Sequence, residues 1–225
     1  MGAKHIFDTI FALLSLSFLS PIMMYIALKI KLEDGSYVFY RGERVGFDGK
    51  LFRIFKFRTM IVDAEKSGAS STSDDDSRVI KIGKFLRKYK LDELPQLINV
   101  LKGEMSFVGP RPEVKKFTDL YSEKEKQILS VRPGITDWAS IWNANEGMLL
   151  AGAEDPDKAY LELIRPTKIK LQLRYIREKS FGTDMKIIYL TLMAVLMPKS
   201  RAVENIRDKL ISMVSDQGGG GGALL

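Results

Sequence analysis

From residue 6 to residue 30 the chain reads IFDTIFALLSLSFLSPIMMYIALKI, and residues 9–28 are 20 consecutive positions without a charge. At about 1.5 Å of rise per residue, a helix of that length crosses the hydrocarbon core of a bilayer. Ser20 and Pro21 interrupt the run at its middle. Proline removes a backbone donor and crowds the preceding turn, which predicts a break there, and the Ser20 hydroxyl is placed to bond a carbonyl so freed. Lys4 precedes the run and Lys29 and Lys31 follow it, so charge gives neither end a reason to translocate. The residues leave three arrangements open: a hairpin that enters one leaflet and returns, a Pro-kinked single span, and a buried helix of a soluble core. A cleaved signal peptide fits poorly, because the apolar run is long and lacks a small-residue cleavage pattern.

Beyond residue 31 the pattern changes to short alternations and polar loops. Residues 37–40 (YVFY) and 51–60 (LFRIFKFRTM) are β-rich, and Gly46, Asp48 and Gly49 between them predict a hairpin turn. Residues 62–77 are polar, and Asp74, Asp75 and Asp76 read as a solvated loop with a helix cap rather than a metal cluster. Residues 79–89 predict a basic amphipathic helix with Ile82, Phe85, Leu86 and Tyr89 at helical spacing. In LDELPQLINVLKGEMSFVGPRPE, residues 91–113, an apolar stripe of Leu94, Leu97, Ile98 and Leu101 predicts a helix. Asp92 would cap it, Pro95 would sit in its first turn and Gly103 would follow its end. Residues 122–130 and 157–179 predict charged helices. Residues 185–197 (MKIIYLTLMAVLM) are apolar but too short to span, which leaves a buried helix or one lying in the membrane interface. The expected fold class is α+β. Residues 1–31 form the membrane element, 32–200 a compact cytoplasmic domain with interfacial helices, and 201–216 a helical extension. The GGGGGALL of residues 217–225 reads as a linker tail outside the fold.

Composition narrows the chemistry. Among 225 residues there is no cysteine and one histidine, His5. That removes disulfides, thiol nucleophiles and Cys-ligated metals, and makes a Ser-His-Asp triad or an H-E-x-x-H zinc site untenable. Catalysis here would use carboxylates, Lys, Arg, Tyr, Ser or Thr, with any metal held through oxygen. The 35 Lys and Arg against 28 Asp and Glu give a net charge of +7, which favours an anionic partner.

Several residues could carry such chemistry. Asp92 and Glu93 are adjacent acids at an expected helix start, where free N–H groups attract phosphate. An ordinary acidic cap is the plainer reading of the pair alone. Pro110 and Pro112 bracket Arg111, which restricts the backbone around one guanidinium and suits it to bidentate phosphate contact. Lys56 and Arg58 alternate on one strand, and Arg87 and Lys90 lie just before the acids. Solvated bases, or a basic face on anionic lipid, explain these equally well. Arg132 precedes a rigid Pro133-Gly134 turn, and Trp138 and Trp142 suit either base stacking or packing.

Taken together these motifs resemble the bacterial sugar transferases, the small monotopic phosphoglycosyl transferases. The resemblance rests on Ser20-Pro21, Lys56-Phe57-Arg58-Thr59-Met60, Leu86-Arg87, Leu91-Asp92-Glu93-Leu94-Pro95-Gln96, Asn99-Val100-Leu101-Lys102-Gly103, Met105-Ser106-Phe107-Val108-Gly109-Pro110-Arg111-Pro112 and Arg132-Pro133-Gly134-Ile135-Thr136. It implies a re-entrant helix broken at Ser20-Pro21, on the cytoplasmic face of a bacterial inner membrane and in contact with its phospholipid. It implies transfer of a sugar phosphate from a UDP-sugar to undecaprenyl phosphate, with release of UMP and a need for Mg²⁺. By the match, Asp92 is the nucleophile that forms a covalent phospho-sugar, and Glu93 orients it or shares the metal. Arg111, backed by Pro110 and Pro112, binds phosphate, with Lys56, Arg58, Arg87 and Arg132 as supporting bases.

The chain departs from the resemblance after Thr136. Where many relatives continue G-L-A-Q-V-N-G-R-N, it reads Asp137-Trp138-Ala139-Ser140-Ile141-Trp142-Asn143-Ala144-Asn145. A basic membrane-anchored binding module without catalysis is the alternative and predicts no dependence on Asp92. No nucleic-acid signature is present, since both signs of charge are interspersed. A Ser/Lys hydrolase would need a G-x-S-x-G elbow, which the chain lacks. Surplus apolar surface on the C-terminal helices leaves a homodimer open.

Overall fold

The computed structural model describes residues 2–64, 71–72, 76–144 and 146–215. A long helix α1 (Ala3–Asp34) leads into β1 (Phe39–Tyr40), β2 (Glu43–Val45), β3 (Leu51–Arg53) and β4 (Lys56–Phe57). Then come α2 (Lys81–Lys88), α3 (Gln96–Leu101), β5 (Ser106–Val108), α4 (Lys115–Thr118) and β6 (Gly134–Thr136). The chain closes with α5 (Trp138–Trp142), α6 (Glu146–Leu149), α7 (Pro156–Ala159), α8 (Arg165–Glu178), α9 (Phe181–Leu196) and α10 (Arg201–Ser215). Helices dominate over a few paired strands, an α+β arrangement. Asp74, Asp75 and the 217–225 tail lie outside the described residues.

Helix α1 runs on through Ser20 and Pro21, so the expected break into two helices is corrected. What Pro21 removes is one hydrogen bond. Its missing N–H would have served the Ser17 carbonyl, and the Ser20 hydroxyl donates to that oxygen instead, at 2.9 Å. One stripe of α1 packs on the domain, with Ala12, Leu16 and Leu19 against Ile54, Leu97 and Val100. Met23, Ile26 and Ile30 continue it against Phe57 and Leu86. The other side is open: Leu14, Phe18, Met24, Tyr25 and Leu32 are 60–84% exposed. Only 11% of the most apolar stretch is buried, which corrects the reading of α1 as a soluble core helix.

Both ends of α1 are bonded to the same domain. At the start, Lys4 pairs with Asp184 and donates to the Val108 carbonyl at 3.0 Å. Asp8 is buried and accepts from the Ser106 hydroxyl at 2.8 Å and the Phe107 N–H at 3.2 Å. At the far end, Glu33 accepts the N–H groups of Lys81 and Ile82 at 2.8 and 3.1 Å. It thereby caps α2, whose own cap residue Ile80 supplies no side-chain bond.

The four β1–β4 segments form one interrupted hairpin. Phe39↔Phe57, Tyr40↔Lys56, Glu43↔Arg53 and Val45↔Leu51 keep a single register, and the Ile54 N–H to Gly42 carbonyl bond, 3.0 Å, bridges the gap. Asn99 staples this hairpin to α3. Its side-chain oxygen accepts the Phe55 N–H at 2.8 Å, and its amide donates to the Arg53 carbonyl at 2.9 Å. Lys56, the first residue of β4, directly follows these bonds, so α3 and the hairpin hold it in place together.

Strands β5 and β6 are parallel, and the chain crosses itself just beyond them. A Cβ on Gly134 would lie 2.1 Å from the Gly109 nitrogen, so only glycine permits the crossing. Behind this pair α5, α8, α9 and α10 enclose Val108, Trp138, Ile141, Leu171, Tyr175, Ile187 and Leu210. Trp138 is buried in that core and Trp142, half-buried, packs against it. The charged helix expected over 157–179 is α7 and α8 joined by a π-type turn, and 122–130 tightens into a 3₁₀ helix, Glu125–Ser130. On α9, Phe181, Tyr189, Leu192 and Leu196 are exposed, and Phe181 meets Phe7 of α1 edge-on at 5.4 Å. The open apolar faces of α1 and α9 therefore adjoin.

Candidate active site

Asp92 is not the helix cap that the sequence predicts. Lys90 adopts a left-handed conformation (φ 55°), Leu91–Glu93 form one 3₁₀ turn, and the cap position of α3 is Pro95. Gly103 does close α3 with positive φ, as expected. The early turn leaves Asp92 buried with its Oδ1 oxygen lacking any hydrogen-bond partner. Burial raises its pKa, and the charges of Lys56, Arg87 and Lys90 work against that rise while Glu93 adds to it. The result is a carboxylate kept ionisable by neighbouring cations yet poorly solvated.

Glu93 is the opposite case. Its Oε1 accepts from Lys56 Nζ at 3.0 Å and from Arg111 Nη2, and its Oε2 accepts from Arg111 Nη1 at 2.9 Å. Burial pushes its pKa up, but Arg111 and Lys56 outweigh burial and hold it well below the usual carboxylate range. Lys56 is itself lowered by burial, with Glu93 supporting its charge. Lys56, Glu93 and Arg111 thus meet beside Asp92, from β4, the 3₁₀ turn and the Pro110–Pro112 segment. Pro110 also anchors the segment, its carbonyl accepting the Gly134 N–H at 3.0 Å.

The other expected bases divide. Arg87 donates to the Thr59 hydroxyl at 3.0 Å and its charge bears on Asp92, so it belongs to the site's field. Arg58 does not. It is buried, forks onto Asp34 at 2.6 and 2.8 Å, and donates to the Tyr37 and Met60 carbonyls at 2.7 and 2.9 Å. The end of α1 consumes its charge, which corrects its assignment to substrate. Arg132 lies beside the start of α1, where its guanidinium meets His5 Nδ1 at 2.9 Å.

Lys90, which the sequence places just before the acids, acts on both of them. Two residues escaped the sequence reading. Asp137 and Gln172 are fully buried and bond the backbone of Arg111. Their partner lies 26 and 61 residues away, a separation that leaves no local signal.

A hard cation would find one fitting donor here. Magnesium is commonly held by one or two carboxylates together with substrate phosphates. The unpartnered Asp92 Oδ1 suits that role. Glu93 does not share it in this arrangement, because three of its roughly four lone-pair positions already face Lys56 and Arg111. Among the described residues no three acidic or histidine side chains converge into a protein-only cage.

An acid pair set among fixed cations thus sits on a domain that carries a largely uncovered apolar helix. The chain belongs to the bacterial sugar transferase family, whose model matches residues 1–198. It is 37% identical over 197 residues to a Bacillus subtilis (strain 168) protein described as the uncharacterized sugar transferase EpsL, covering 88% of this chain and 89% of that one. It is 38% identical over 194 residues to the UDP-glucose:undecaprenyl-phosphate glucose-1-phosphate transferase of Escherichia coli (strain K12), covering 84% of this chain and 39% of the relative. A UDP-N-acetylgalactosamine-undecaprenyl-phosphate N-acetylgalactosaminephosphotransferase of Aeromonas hydrophila is 36% identical over 198 residues, covering 86% and 43%. The chain thus spans about two fifths of the length of these last two relatives.

Proposed function

We propose that this chain transfers a sugar phosphate from a UDP-sugar to undecaprenyl phosphate, as a membrane enzyme that begins assembly of a lipid-linked glycan. The observation that carries the reading is Asp92: a buried carboxylate oxygen without a partner, beside a glutamate that two cations neutralise. Asp92 attacks the phosphorus bonded to the sugar, and the P–O bond to UMP breaks as UMP leaves. The acceptor's phosphate oxygen then attacks the same phosphorus, breaks its bond to Asp92 and restores the carboxylate. Arg111 and Lys56 meet the charge that develops on the phosphoryl oxygens, and Glu93 holds both cations in register. Mg²⁺ held by Asp92 and the diphosphate would supply further charge neutralisation.

The reading also gives α1 a role. Its two ends bond one domain, which supports both ends lying on the same, cytoplasmic side of the bacterial inner membrane. The adjoining apolar faces of α1 and α9 suit contact with phospholipid. An apolar groove of about 290 Å³ between α1 and Phe39, lined by Leu16, Ser20, Met23, Met24 and Ala27, suits the isoprenoid chain of the acceptor.

The test is UMP release by detergent-purified protein given undecaprenyl phosphate, Mg²⁺ and a panel of UDP-sugars. One sugar should release UMP, Asp92→Asn should lose about 10³-fold or more of the rate, and intact mass should reveal a phospho-sugar adduct on wild type alone. UMP release undiminished in Asp92→Asn would defeat the mechanism. Lipid binding with no turnover of any UDP-sugar would favour the non-catalytic binding module.

A further inference from the structure

We infer that Asp137 and Gln172 form a clamp that fixes the direction of Arg111, which makes both of them positioning residues of the site. The catalytic consequence rests on the sugar-phosphate transfer reading; the clamp itself does not. Within Pro110-Arg111-Pro112 the only backbone donor is the Arg111 N–H. It donates to Asp137 Oδ2 at 3.2 Å. Gln172 Nε2 donates to that same oxygen at 3.2 Å and reaches the Arg111 carbonyl at 3.4 Å. The peptide units on both sides of Arg111 are therefore held, one by the residue that caps α5 and one by α8.

Asp137 is itself held. Its Oδ1 accepts the Ser140 N–H at 2.6 Å and the Ser140 hydroxyl at 2.7 Å, which caps α5. Both clamp side chains are fully buried, so neither samples solvent. Four donors satisfy the Asp137 carboxylate. Of these, only the Arg111 bond points towards the site.

The two prolines leave freedom that the clamp removes. They fix φ at residues 110 and 112, and Pro112 restricts Arg111 to extended conformations without choosing among them. The Arg111 guanidinium sits at the end of a long side chain and must present two parallel N–H groups to Glu93. A misplacement of about 1 Å at a reacting group costs about 10²-fold in rate.

Asp137→Asn keeps an oxygen for the α5 cap but turns an amide donor towards the Arg111 N–H. Gln172→Met removes the second hold at similar volume and leaves the cap untouched. Arg111, 29% exposed at its side chain, is read directly by an arginine-selective dicarbonyl reagent with peptide mass spectrometry. In both variants Arg111 should label several-fold faster than in wild type, and kcat for UMP release should fall 10- to 100-fold, with KM for the UDP-sugar changed far less. Asp184→Asn, which alters a buried carboxylate of the α1 latch, should lower Tm and leave Arg111 labelling as in wild type. Unchanged Arg111 labelling in Gln172→Met, or an equal rise in Asp184→Asn, would overturn the clamp. A wild type that turns over no UDP-sugar would defeat the transfer reading, while the labelling still decides the clamp.

Discussion

Glu93 and Glu113 are both half-buried glutamates that face a lysine, one partnered by Arg111 and the other directly following Pro112. Glu93 pairs with Lys56 at side-chain exposures of 12% and 20%; Glu113 pairs with Lys168 at 11% and 7%. The second cluster is closed on itself. Tyr160 donates to Glu113 at 2.5 Å, and Lys168 donates to Glu113 and to the Tyr160 oxygen, the latter at 3.1 Å. None of these three side chains leaves a buried polar atom without a partner, and burial raises the Tyr160 pKa beyond any physiological titration. The first cluster has Asp92 beside it with an oxygen unsatisfied. An ion pair with little exposure is thus ordinary architecture in this fold, and what sets the first cluster apart is the orphaned acceptor of Asp92 beside it.

The contrast can be broken most forcefully at the closed cluster. Lys168→Met strands the Glu113 charge and should cost about 3–5 kcal/mol, read by chemical denaturation. The molecules that remain folded should keep near wild-type UMP release, and adding Glu113→Gln should recover most of the loss in stability. At the open cluster the weights reverse. Lys56→Met should cost less stability, because Arg111 still pairs with Glu93, yet lower kcat/KM about 10²-fold. Equal stability losses at the two lysines would erase the distinction.

The smallest effect is in the pH dependence of stability, measured without divalent metal. Asp92 has a raised folded pKa, so its favourable contribution is complete below about pH 4 and is lost as pH rises through the raised value. Asp92→Asn should therefore raise Tm more at pH 7 than at pH 4. Glu93 has a depressed folded pKa; its contribution is present above the ordinary glutamate range and fades as pH falls through the depressed value. Glu93→Gln should accordingly lower Tm at pH 7 and lower it less in acid. The same sign for both variants would show that the two carboxylates share one environment.

Much of this arrangement is legible along the chain wherever the cause is local. Gly46, Asp48 and Gly49 predict the hairpin, and Gly103 predicts the end of α3, because turn conformation depends on neighbouring residues. Ser20 meets the carbonyl that Pro21 frees for the same reason. Asp92 misleads because Lys90 takes a left-handed conformation, which ends one turn and starts another before α3. Arg58 misleads because α1 supplies its partner, Asp34, from 24 residues away. Asp137 and Gln172 stay hidden for that reason also, since a side chain that binds a distant backbone leaves no periodicity. The acids and bases of the site can be read from motif, whereas their allocation to substrate or to scaffold is a property of the folded chain.

The Lys4–Asp184 bond has a consequence in time. The two residues stand 180 apart, and at about 5–20 residues added per second their meeting follows the emergence of Lys4 by roughly 10–40 s. Asp8 finds Ser106 about halfway through that interval. During synthesis the apolar stripe of α1 is therefore without the surface it will cover, while a bilayer can accept it at once. The order of events becomes helix first and domain second: the bond to Asp184 fastens a helix that was complete while the surface it packs on was still being made.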